Sequence, residues 1–164
     1  MDKRTQYTIA KTLHWLAFVL ITFNVLGGWR LGNFETETRQ ILVGLHAGVG
    51  ILIFLFMAGR WWWRRSNRLY APKNWWRKPL LLGQWVFYPI LIVQTFIGIA
   101  LAAVIDLDIN AFGFLPFSAL APNSADQEAW VRMIHASAAW SVLALITLHT
   151  FDKIRWFYTE KGGN

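Results

Sequence analysis

The chain carries four long apolar runs, each of a length that crosses a lipid bilayer. They span Ile9 to Trp29, Ile41 to Gly59, Leu80 to Ile105, and about Ala129 to Phe151. A helix needs about 20 residues to traverse the hydrocarbon. Only a helix, or a closed barrel of much shorter strands, satisfies its own backbone there. The expected fold is therefore all-α: a transmembrane up-down four-helix bundle, with residues 1–164 forming a single integral-membrane domain. Lys3 and Arg4 precede the first run, as in a signal peptide. That run is too long for one, and no small-x-small site closes it, so it reads as a retained span.

With 55% hydrophobic residues, the net charge of +7 must lie outside the spans. It does. The segment RWWWRRSNRLYAPKNWWRKP between spans two and three has seven Lys/Arg and no acid, and both ends of the chain are basic as well. The opposite side has only Arg30, Arg39 and Arg132. The positive-inside rule places both termini and the middle loop in the cytoplasm of a multi-pass inner-membrane protein. Trp61, Trp62, Trp63, Trp75 and Trp76 in that segment read as interfacial anchors among lipid-binding cations. No nucleic-acid-binding module surrounds them, so nucleic acid is not an expected partner. Arg60, Arg64 and Arg65 are expected to meet lipid phosphates, with a quinone or propionate role open for one of them.

The chain has four histidines, His14, His46, His135 and His149, and all fall inside predicted spans. An ionisable residue at membrane depth is costly and calls for a function. Alternating helix directions sort the four into two depths: His14 with His149 towards the cytoplasm, and His46 with His135 towards the periplasm. On span four, fourteen residues at 100° each fall only about 40° short of four turns, so His135 and His149 share a face, about 21 Å apart. Small residues stand beside them: Gly50 one turn from His46, and Ala138 and Ala139 one turn from His135.

Two imidazoles per level suit a particular kind of centre. A tetrahedral zinc site wants more ligands, and no intramembrane carboxylate completes one. Haem iron needs only two axial ligands beyond its porphyrin nitrogens. With no cysteine in the chain, covalent C-x-x-C-H attachment, thiolate sites and iron–sulfur clusters are excluded. Interhelical hydrogen bonding and proton relay remain open alternatives for membrane histidines.

The segments LHWLAFVL, GLHAGVGILIFLFMAGRWWWR and WVRMIHASAAWSVLALITLH, in this order, resemble the bacterial di-haem cytochrome b561 family over nearly the whole chain. The resemblance implies two haems b with His14, His46, His135 and His149 as axial iron ligands, and transmembrane electron transfer in exchange with a quinone such as ubiquinone. It also implies superoxide or a periplasmic redox protein as electron partner. Whether the chain is an enzyme in its own right, a superoxide:ubiquinone oxidoreductase, or a non-catalytic cytochrome b subunit of a larger redox enzyme stays open. Two features depart from the family pattern. Gln84 stands where members often have a histidine, and HTFDKIRWF lacks the paired histidines that often follow the last ligand.

Arg30, Arg39 and Arg132 are candidates for haem propionates. Against these three cations stand Glu35, Glu37, Asp106, Asp108, Asp126 and Glu128, a balance of about −3 on that face. An acidic face suits a basic redox protein better than it collects an anion, though plain loop solvation explains each acid as well. AFGFLPF in the third connection reads either as a cover over the periplasmic haem or as a segment lying on the lipid surface. Membrane lipids are expected partners, and a homodimer is compatible with so small a bundle.

Overall fold

A computed structural model of the chain describes residues 2–67 and 79–161. Four helices dominate it: α1 (Lys3–Arg30), α2 (Thr36–Asn67), α3 (Pro79–Val104) and α4 (Ala125–Lys161). Each is long and apolar enough to cross a membrane. All four extend the apolar runs or match them closely, because a helix does not stop where the hydrocarbon stops. The largest extension is in α2, where GRWWWRRSN continues the helix that the sequence suggested would end near Gly59. Trp75 and Trp76 lie outside the described residues. Trp62 is well exposed, as an anchor should be, whereas Trp63 turns its indole Nε1 inward.

Local chemistry starts the helices. Asp2 caps α1 by accepting a hydrogen bond from the Thr5 amide at 2.7 Å. Hydrogen bonding by the Thr5 side chain, and then by this amide, holds the Asp2 carboxyl below the usual carboxylate range. Ser124 opens α4: its carbonyl accepts the Glu128 amide at 2.8 Å. Asp126 and Glu128 put negative charge at the positive end of the helix dipole. The Ser124 amide also donates to the Val104 carbonyl at 3.1 Å, which ties the start of α4 to the end of α3. Pro89 sits inside α3 with its ring facing outward, and neighbouring helices make such a residue tolerable in a membrane span.

The inward faces repeat at alternating steps of three and four residues. On α1 the stripe is His14, Ala17, Ile21, Asn24 and Gly28, and on α2 it is Val43, His46, Gly50, Ile53 and Met57. On α3 it is Tyr88, Leu91, Thr95, Gly98 and Ala102, and on α4 it is His135, Ala139, Val142, Ile146 and His149. Such a repeat keeps one seam facing the partner helices of an up-down bundle. The hydrophobic cluster of Ala17, Ile21, Ile53, Met57, Tyr88, Leu91 and Val142 forms the core. Val142 is only 1% exposed and lies seven residues, two turns, from each histidine of α4. The core is therefore an apolar plug between two histidine levels.

Backbone packing is extensive between α1 and α2, α2 and α3, and α3 and α4. Helices α1 and α4 meet instead through side chains, such as Trp29 and Trp140 with ring centres 4.9 Å apart. The connection from α3 to α4 contains a two-stranded hairpin, β1 (Asn110–Ala111) and β2 (Leu115–Pro116), antiparallel with Asn110 opposite Pro116. Ile105, Leu107, Ile109 and Ala111 are buried while Asp106 and Asp108 face out, the period-two alternation of an extended segment. The turn places Phe112 and Gly113 in the left-handed region, with φ of 54° and 79°. For Phe112 that conformation is unfavourable, and packing of its ring on Gly48 of α2 offsets it.

Candidate functional site

The inward stripes bring the four histidines together in two couples. The rings of His46 on α2 and His135 on α4 have centres 6.2 Å apart and planes at 74°. Those of His14 on α1 and His149 on α4 are 5.9 Å apart at 78°. The couples match the depths expected from the spacing, one on the side of the hairpin and one on the side of the termini. Among the described residues, no three of His, Cys, Asp or Glu converge to hold a bare metal ion.

A cavity of about 550 Å³ surrounds the hairpin-side couple, within the usual range for small-molecule and cofactor pockets. Its walls are mostly apolar and come from all four helices, with Arg39 and Arg132 at its outer end and Asn24, Gln94 and Thr95 deeper in. Glycines let the backbones close on the rings. A Cβ at Gly28 would lie 2.7 Å from His46 Cε1, and one at Gly98 would lie 3.1 Å from His135 Cε1. Gln94 Nε2 donates to the His135 backbone carbonyl at 2.9 Å, locking α3 to α4 at this level. Thr95 Oγ1 contacts the Gly50 carbonyl at 3.4 Å, a weaker tie to α2.

The ring geometry suits a haem. A metal about 2 Å from an imidazole nitrogen stands about 3 Å from the ring centre, so opposed axial imidazoles have centres about 6 Å apart. Both couples meet that spacing. On the hairpin side, His46 Nδ1 and His135 Nδ1 are buried without a hydrogen bond of ordinary geometry, as is Arg39 Nε.

A family model described as prokaryotic cytochrome b561 matches residues 6–157. The chain belongs to that family. Cytochrome b561 homolog 2 of Escherichia coli (strain K12) is 22% identical over 161 residues, covering 93% of this chain and 85% of the relative. This cytochrome b561 is thus a multi-pass membrane protein of the b-type cytochromes, and it transfers electrons across the membrane by haem b.

The other residues singled out in the sequence fall unevenly. Arg39 and Arg132 line the cavity, and Arg132 is paired with Glu128 one turn earlier on α4. Arg30, the last residue of α1, is exposed and lies outside the cavity wall. Arg60 is half-buried, and its Nη1 donates to the Ala10 carbonyl of α1 at 2.7 Å. Arg64 lies over the Trp85 ring at 4.6 Å and Arg65 near Trp61 at 5.7 Å. Gln84 lies in α3, but its side chain is outside the described set.

The apolar connection does not close over the cavity, and Phe114 stands well exposed. Of AFGFLPF, Phe112 packs on Gly48, on the face of α2 away from His46, and Phe117 alone reaches the cavity wall. Asp106 and Asp108 accept hydrogen bonds from Asn123, Asn110 and Ser118, so they build this connection. Sequence reasoning missed Asn24, Gln94 and Thr95. Their signal was present: isolated amides and a hydroxyl inside apolar spans, where polar groups seek a purpose.

Proposed function

We propose that this cytochrome b561 holds two haems b, one between His14 and His149 and one between His46 and His135, and passes electrons between a periplasmic partner and the quinone pool. The observation that carries this reading is the ring spacing of the two couples, 5.9 and 6.2 Å, at two depths of one helix. Haem iron with two axial imidazoles supplies one-electron chemistry and leaves no coordination position for oxygen.

The chain's own residues set the conditions. The histidines of each couple would hold a haem across the seam between α4 and its neighbours. Arg39 and Arg132 stand at the outer end of the cavity, where a guanidinium meets a carboxylate well. The apolar core between the levels keeps water and ions out while leaving a path for an electron. The basic ends and middle loop support a cytoplasmic position for the termini. The hairpin side is then periplasmic.

Superoxide is the proposed donor and ubiquinone the proposed acceptor of the autonomous form. A reduced-minus-oxidised spectrum with haem counting on the purified protein tests the core of the proposal. Two low-spin b haems per chain are expected, and a colourless preparation from porphyrin-replete cells overturns it. Rapid reduction of the haems by superoxide, followed by oxidation with a soluble ubiquinone, supports the autonomous form. Reduction only through a co-purifying redox subunit assigns the chain to a larger enzyme.

A further inference from the structure

Arg60 stands at the inner end of the stripe that contains His46, three residues beyond Met57, so it faces the bundle. Its Nη1 bonds the Ala10 carbonyl at 2.7 Å. Ala10 lies one turn before His14, and in a helix its carbonyl also receives the His14 amide. The guanidinium is thereby clamped to the turn that carries His14. No acidic group forms an ion pair with it among the described residues. On the hairpin side the matching stripe cation is Arg39, but Arg39 Nε has no hydrogen-bond partner, and Arg132 nearby is neutralised by Glu128. Of these cations, Arg60 is the one held by a backbone carbonyl with its charge unpaired by an acid among the described residues.

We infer that Arg60 is a positioning residue that sets the reduction potential of the termini-side haem, favouring its ferrous form. The inference rests on the haem reading above. Reduction adds one electron to the site and no proton, so the reduced state carries one more negative charge. A cation held nearby in a medium of low dielectric stabilises that state. The excess favours collecting the electron at the termini side, where the quinone exchange is proposed.

The test is redox potentiometry at the α-band on the purified full-length protein, with His14→Ala and His46→Ala used to assign each component. Arg60→Gln keeps a donor for the Ala10 carbonyl and removes the charge. Arg60→Met keeps bulk and removes both, and Arg60→Lys keeps the charge. In the Gln and Met variants the reduction equilibrium of the termini-side haem should fall roughly tenfold, about 59 mV for a one-electron couple, with the hairpin-side haem unmoved. Lys should restore most of the loss. Wild-type values in both charge-removing variants, equal shifts of both haems, or loss of the termini-side haem in both overturns the inference. A wild-type protein without two b haems instead overturns the reading on which it rests.

Discussion

The two histidine levels are built by different means. On the hairpin side, backbone approaches the rings: a Cβ on Gly28 would overlap His46, one on Gly98 would crowd His135, and Gln94 pins the His135 carbonyl. On the termini side, side chains surround the couple. Phe87 stands edge-on to His149 at 6.5 Å, Trp15 is beside His14 at 5.8 Å, and Arg60 is tied to the neighbouring turn. The first arrangement fixes shape and the second fixes charge. The ligation proposed for both couples would then sit in two different environments, which is what a directional electron path requires.

The strongest way to break the comparison is to remove the ligands. His14→Ala or His149→Ala should halve the haem per chain by erasing the termini-side component, and His46→Ala or His135→Ala should do so by erasing the other. Haem counting with a spectrum of the surviving component checks this, and a variant that loses both at once would show that the levels are not separate. Removing His135 and His149 together should leave no haem.

Next in size is the glycine wall. Gly28→Val should cut hairpin-side haem occupancy severalfold, because overpacking of this kind costs about 1–3 kcal/mol. Gly27→Val, where an added Cβ meets nothing within 4 Å, should be silent. Haem occupancy of the two variants, measured side by side, separates local fit from a general loss of helix quality.

Smaller effects sharpen the contrast. Gln94→Leu removes the bond to the His135 carbonyl and should lower stability by about 1 kcal/mol. Faster loss of the hairpin-side haem on heating, with the termini-side haem unchanged, is the readout. Smallest of all, Gly48→Ala should push Phe112 outward and make the hairpin easier to cleave by protease, while both haem spectra stay as they were. A change in the hairpin-side spectrum would mean that the loop supports the site more than its packing indicates.

Much of this was legible in the sequence because the membrane enforces it. Length and hydropathy gave four helices, and alternation of direction with a fourteen-residue spacing paired the histidines by depth. The hairpin was not legible. Its strands are two residues each, and it holds through tertiary fits such as Asn110 against Gly44, which no local pattern announces. Arg60 was grouped with Arg64 and Arg65 as a lipid contact, with a quinone or propionate role open for one of the three. Its place on the inner stripe, three residues past Met57, was the clue to its bond with α1. Arg30 was grouped with Arg39 and Arg132 by loop position alone, and helix phase separates it from them.

Both couples draw a partner from the last helix, His135 and His149 of α4. Neither exists while only the first three spans have left the ribosome. Capture of the proposed haems must then wait for the synthesis of α4, and a chain cut short before it would hold half of each proposed binding place.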